Sequence, residues 1–468
     1  MQDRQPISPQ AVYFARHALL PSGMCKNVRI ELSDDGSFSS VTPQASPDGA
    51  TELPGVVLPG MVNLHSHAFQ RAMAGLTERG GPLTDSFWTW REVMYHFLRS
   101  LGPDDVEAIA AQLYVELLRG GFTGVVEFHY LHRDPQGELY ENPAELGLRI
   151  SHAAEQTGIG LTLLASLYQQ GGFGAEPLSP GQRRFYLSDD QFGQVITTLM
   201  AHRRPIDRIG IAPHSLRAVT PQALEQATQI IESIDPRAPI HLHISEQPAE
   251  VAACLSWSQK TPIDWLLDHV AVDGRYCLIH ATHATEAEIS RLARHAVTIG
   301  LCPSTEANLG DGIFAAAALI SGGGGRIGIG TDSHVGTSAL DELRLLEYSQ
   351  RLRHGRRNVL AKQEGVSTGE SLWLAAAGGG AQASAQPTGV LAAGSRADLV
   401  VLSDDRPALY GRHGSQILDA AMFGPDRDAV SDVMVQGRWV VRSRRHFAEE
   451  SIAARFRSTV ERLAARGP

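Results

Sequence analysis

The chain has 468 residues, a formal net charge of −10, 43% hydrophobic and 20% charged residues. That length predicts one large domain with a smaller companion, and the acidic balance argues against general nucleic-acid binding. No apolar run approaches the roughly 18–20 residues of a membrane span. The start MQDRQPISPQ lacks a signal-peptide pattern, and Cys25, Cys254, Cys277 and Cys302 show no CxxC spacing. A cytoplasmic protein without a disulfide framework or zinc ribbon is expected. Of the 41 basic residues 38 are Arg, with only Lys26, Lys260 and Lys362 as lysines.

In chain order, AVYFARHALL, NVRIEL and SFSSV read as short strands, with Asp34, Asp35 and Gly36 as a turn before the last. From about residue 56 short apolar runs alternate with helical patterns. VVLPGMVNLH, TGVVEFHY, GLTLLASLY, RIGIAPHS, PIHLHISE, YCLIHATHA, AVTIGLCPS and GRIGIGTDSH are eight strand candidates. Helical DDVEAIAAQLYVELLRGG, ELGLRISHAAEQTG, DDQFGQVITTLMAHR and PQALEQATQIIESI fall between some of them. Such alternation implies a parallel sheet, and eight units predict a closed (β/α)8 TIM barrel, with a doubly wound open sheet as the alternative. The Gly-rich loop over residues 169–187 is a candidate lid or a static excursion. RADLVVLSDD and VSDVMVQGRWVV return to strand character. The expected organisation is residues 1–55 and 386–468 forming a composite β-sandwich domain, with a terminal helix, around a barrel of residues 56–385.

Ionisable residues recur at the C-terminal ends of the strand candidates, the rim where a barrel carries its active site. His65 and His67 end strand 1, His129 and Tyr130 strand 2, His214 strand 4, His243 and Glu246 strand 5, His280 strand 6 and Asp332 strand 8. Residues i and i+2 of a strand share a face, so His65 and His67 can aim at one ion. Imidazoles suit a catalytic zinc, which takes about three or four protein ligands and keeps one position for water. Barrel closure would bring Asp332 beside His65 and His67, with His243 across the mouth. His241 and His283 are expected to be structural. The GxGxxG match at residues 323–328 precedes a strand instead of following one, and the GxSxG match at 365–369 follows none, so both read as turns.

On HxH, HxxE, the strand-6 His and the strand-8 Asp, the chain resembles the amidohydrolase superfamily over nearly its whole length. No lysine lies on a barrel strand, which favours the one-metal deaminase branch. Within it, NLHSHAFQRAMAGLTE, FWTWRE, VVEFHYLH, GQRRF, APHSLRAV, HLHISEQ and LIHATH are similar to the deiminases of N-formimidoyl-L-glutamate in histidine breakdown. That resemblance implies one zinc per subunit on His65, His67, His243 and Asp332, and a homodimer; iron or manganese is compatible with the same donors. It implies catalytic roles for Glu246, His280 and Asp332, and substrate contacts by Gln70, Arg91, Tyr130, His214 and Arg217. A dianionic small-molecule substrate calls for planar, bidentate guanidinium groups, and Arg91 and Arg217 are chosen for position near strand ends and for the likeness. The competing expectations are a deaminase of a nucleobase or adenosine-type substrate, and a non-catalytic metal-binding barrel.

Overall fold

The computed structural model describes residues 11–78, 87–425 and 428–465. Seventeen strands are seen among them: β1 (Val12–Leu20), β2 (Gly23–Leu32), β3 (Phe38–Thr42), β4 (Thr51–Glu52), β5 (Gly55–Pro59), β6 (Met61–Ser66), β7 (Phe122–His129), β8 (Gly160–Leu167), β9 (Arg208–Pro213), β10 (Ile240–Ile244), β11 (Tyr276–His280), β12 (Thr298–Leu301), β13 (Arg326–Ile329), β14 (Leu399–Ser403), β15 (Val430–Val435), β16 (Arg438–Arg442) and β17 (Arg445–His446). Strands β6 to β13 form one parallel eight-stranded sheet in sequence order. Its ends meet where Ser66 bridges Asp332, and the amides of Thr331 and Asp332 donate to the His65 carbonyl at 3.2 and 3.0 Å. The sheet is therefore a nearly closed barrel. Strands covered on both faces read as continuous apolar runs, as in GLTLLASL of β8, which is buried throughout.

The flanks build the second sheet, ordered β17-β16-β15-β14-β5-β1-β2-β3 with β4 beside β1. It is continuous and mixed, and it curls around its own core of Ala15, Val28, Ile30, Phe38, Val57, Leu399, Val401 and Met434. Curling shows in Tyr13 of β1 meeting Trp439 of β16 edge-on at 5.6 Å, although three strands lie between them in the sheet.

VVLPGMVNLH, read as one barrel strand, divides. Its first half is β5, antiparallel to β14 with Val57 opposite Val401; its second half is β6 of the barrel. The pivot is Gly60, where a Cβ would lie 2.4 Å from Thr123 Oγ1 and 2.6 Å from Asp398 Cβ, so only glycine fits. The barrel floor is closed by the end of the helix Thr368–Ser384: Thr162 Oγ1 donates to the Ser384 carbonyl at 2.9 Å and His241 Nε2–H to the Ala383 carbonyl at 2.7 Å. His241 is thus a packed histidine of the lower barrel.

Candidate active site

His65 and His67 lie at the end of β6 and continue its inward face, their rings edge-to-face at 4.6 Å. His243 arrives from β10, its Nε2 3.1 Å from His65 Nε2. Asp332 Oδ1 stands 3.6 Å from His65 Nε2 and 3.4 Å from His67 Nε2. All four side chains are buried. Zinc–ligand bonds of about 2.0–2.1 Å in a tetrahedron separate neighbouring donors by about 3.3–3.4 Å, close to these spacings.

Donor chemistry fits a cation as well. The Nδ1–H groups of His67 and His243 donate to the carbonyls of Phe128 at 2.9 Å and His214 at 3.0 Å. Those bonds fix the tautomer that leaves each Nε2 a lone pair facing the centre. Burial holds His67 down at about 3 and keeps His65 and His243 well below the usual histidine range, so the rings are neutral. Neutral nitrogens whose lone pairs converge are suited to a metal and poorly suited to one another. Burial lifts the Asp332 carboxyl to about 7, opposed by His280; a divalent ion beside it would favour the carboxylate.

His280 closes β11, its Nε2 3.7 Å from Asp332 Oδ2 and 3.9 Å from Glu246 Oε1. Burial opposes charge on this ring, but Glu246, Glu306 and Asp332 outweigh it and raise the group to about 10. Ser245, His280, Ala281 and Asp332 all have φ between 46° and 68°. Non-glycine residues in that left-handed region carry strain, which concentrates at functional sites. Glu250 accepts the backbone amides of Ser245 and Glu246 at 3.3 and 3.0 Å and so fixes the turn that presents Glu246.

Above this centre lies a small, tight cavity of ≈ 50 Å³. His67, His243, Glu246, His280 and Asp332 line it, together with Gln70, Arg91, Tyr130, His214 and Arg217. His65 sits beneath, fully buried. Gln70 Nε2 donates to Tyr130 Oη at 2.9 Å, while Gln70 Oε1 is buried with no hydrogen-bond partner. Burial keeps His214 neutral, well below its usual range. Arg217, 8% exposed, donates among the described residues to Tyr168 Oη at 3.3 Å. Arg91 lies over the rings of Trp88 and Tyr95 at 4.5 and 5.5 Å, with its Nε unpartnered. Among the described residues no carboxylate forms an ion pair with either arginine.

Arg91 differs from expectation in its support. It stands on the helix Phe87–Leu98 and reaches the cavity from the side, whereas Arg217 follows β9 as the strand-end reading requires. His129 and His283 do not line the cavity. The loop over residues 169–187 contributes a wall: a 3-10 helix, Pro180–Phe185, places Phe185 against the cavity, and Gln182 Nε2 donates to Tyr168 Oη at 2.8 Å. Tyr95, Tyr168, Phe185 and Glu306 went unnoticed in the sequence; the first three are apolar-weighted residues that look like core, and Glu306 looks like an acidic helix-start residue.

Residues 56–440 match the model of the amidohydrolase family. The chain belongs to the amidohydrolase family. Residues 10–55 match a second model, described as the N-terminal domain of formimidoylglutamate deiminase HutF. Among amidohydrolase relatives, the chain is 51% identical to the formimidoylglutamate deiminase of Pseudomonas aeruginosa, over 95% of this chain and 97% of that one. It is 28% identical to the 8-oxoguanine deaminase of the same organism, over 82% of each chain. A crystal structure of an amidohydrolase from Brucella melitensis superposes with a TM-score of 0.91 at 44% identity, covering 97% of this chain and all of that one.

Proposed function

We propose that this amidohydrolase removes ammonia hydrolytically from N-formimidoyl-L-glutamate, leaving N-formyl-L-glutamate, as a step of histidine degradation. The observation that carries the reading is a pair of arginines without carboxylate partners among the described residues, lining the same cavity as the converging imidazoles. The 51% identity to a formimidoylglutamate deiminase supports it. The catalytic unit in this reading is the barrel within residues 56–385, supported by flanks 1–55 and 386–468, with residues 56–59 pairing in the flank sheet and the barrel starting at β6. The cofactor is one zinc per subunit, and the working form a cytoplasmic homodimer.

His65, His67, His243 and Asp332 would hold the zinc ion. When bound, such an ion acts as a Lewis acid that lowers the pKa of a coordinated water from 15.7 toward about 7. The reaction converts HN=CH–NH–R and water into O=CH–NH–R and ammonia. It requires both protons to be taken from the water oxygen and both to be given to the departing nitrogen, which leaves poorly as an anion. In this reading Asp332, with Oδ2 3.7 Å from His280 Nε2, serves the first task and Glu246, with Oε1 3.9 Å from it, the second. His280 orients the reacting oxygen by hydrogen bonding. Arg217 and Arg91 take the carboxylates, each guanidinium offering a planar fork. Gln70, Tyr130 and His214 supply neutral contacts that neither repel nor compete with those charges.

Ammonia release from formimidoylglutamate, guanine, cytosine and an adenosine derivative tests the assignment in one panel. Turnover of the first with none of the others is the expected result. Turnover of a nucleobase alone would retain the chemistry and replace the substrate. Zinc per chain and mass by light scattering test the cofactor and the dimer.

A further inference from the structure

His280 has an exposed weakness in its design. A histidine χ2 torsion is broad and nearly two-fold, so a ring at a strand end can present either edge to the cavity. The pleat of β11 does not fix that choice, because the chain leaves the strand at His280 itself, with φ +68° there and +49° at Ala281. The ring edge facing away from the cavity meets Glu306, whose Oε1 is 3.2 Å from His280 Nδ1. A carboxylate oxygen accepts, so Nδ1 carries the proton and Nε2 points toward the cavity.

Glu306 is itself held. It lies in the first turn of the helix Pro303–Leu309, where the same Oε1 accepts the Cys302 amide at 2.8 Å. It is buried, and among the described residues no arginine or lysine pairs with it. A carboxylic side chain taken from water needs hydrogen-bond partners inside the fold, and Glu306 finds them in the Cys302 amide and the His280 ring. His280, Cys302 and Glu306 also have donor atoms within 4.8 Å of one another. Yet Glu306 Oε1 is already engaged by two N–H groups, and burial pushes the Cys302 thiol well above its usual range.

We infer that Glu306 is a positioning residue for the hydrolysis: by holding His280 through Nδ1–H, it keeps Nε2 aimed between Glu246 and Asp332. This rests on the proposed deiminase reading and adds to it a residue that touches neither the substrate nor the metal donors His65, His67, His243 and Asp332.

The test is a double-mutant cycle on the zinc-loaded full chain. In the parent, Glu306→Ala should lower kcat by about ten- to a hundredfold, as loss of an orienting partner commonly does, with KM and zinc per chain unchanged. Glu306→Gln keeps an oxygen for both N–H groups and should lose less than Ala. In a His280→Gln background neither substitution should lower kcat further, since the group they act through is gone. A Glu306→Ala enzyme as fast as the parent overturns the inference, as does an equal loss in both backgrounds. Two zinc ions per parent chain, falling to one in the variants, would make Glu306 a ligand and also overturn it. Should the Ala variant not fold, Glu306→Gln decides: a loss confined to the His280 background supports positioning, and no loss or an equal loss refutes it. A parent that turns over only a nucleobase refutes the substrate assignment instead, and the cycle is then run on that compound.

Discussion

Replacing Glu246 by Gln removes a proton-carrying oxygen 3.9 Å from His280 Nε2 with almost no change of volume. General acid–base groups contribute about 10²–10⁴-fold, so kcat should fall within that range while zinc per chain, read by metal analysis, stays at the parent value. Arg217→Ala should act on the other parameter. A hydrogen-bonded charge pair contributes about 1.5–3 kcal/mol, which corresponds to a KM raised about ten- to a hundredfold with a smaller change in kcat, checked by steady-state kinetics. Chelation should abolish turnover and zinc should restore it. The stripped protein should also melt at lower temperature, because a ligand that binds only the folded state stabilises it. The residues behind these expectations were legible as sequence where they break an apolar run: His65, His67, His243, His280 and Asp332 interrupt strands that otherwise read as core. Glu306 was not, since an acidic residue in the first turn of CPSTEANL is what the helix dipole alone would favour. Only the proximity of β11 gives it the His280 ring as a second partner beside the Cys302 amide.

At the level of elements, the barrel seam between β6 and β13 carries few ladder bonds, and side chains supplement them. Asn63 Nδ2 donates to Thr331 Oγ1 at 2.7 Å, and Thr331 Oγ1 lies 2.8 Å from His334 Nδ1. His334 Nε2 is 3.2 Å from Ser66 Oγ, which donates to Glu127 at 2.5 Å. Every donor and acceptor in that chain has a consistent role if His334 is neutral, and burial holds it well below its usual range. The two strands also approach so closely at Gly330 that a Cβ would stand 2.7 Å from His65 Cβ and 2.9 Å from the His65 backbone. Gly330→Ala should therefore push β13 from β6 and with it Asp332 from His65. Overpacking of this kind costs about 1–3 kcal/mol, visible as a lower denaturant midpoint, together with weaker zinc retention against a competing chelator. The eight barrel strands were legible because burial on both faces writes them as apolar runs. The division of VVLPGMVNLH was not, because two strands of two sheets joined by one glycine have the same texture as a single long one. Arg91 was named for strand-end position and for the family likeness, but it stands on the helix Phe87–Leu98, between β6 and β7, and not at a strand end.

Over the whole molecule, the flank sheet takes strands from both ends of the chain and its core residues from each. A chain ending at residue 398 would lack β14 to β17 and leave β5 without its antiparallel neighbour. Such a truncation should partition into the pellet on expression, checked by comparing soluble and insoluble fractions; a soluble, active fragment would contradict the dependence. The pairing of the two flanks was legible from strand texture alone, whereas the curl that brings Tyr13 to Trp439 depends on sheet twist that no short motif records. Pairing of Val57 with Val401 also has a meaning in time. At synthesis rates of about 5–20 residues per second, the second partner emerges roughly 17–70 s after the first. For that interval the amino-terminal hairpin waits beside the ribosome with a bare edge, open to annealing with neighbouring nascent chains. Slower growth or an abundance of holding chaperones should thus matter more for recovering this enzyme than any property of the finished barrel.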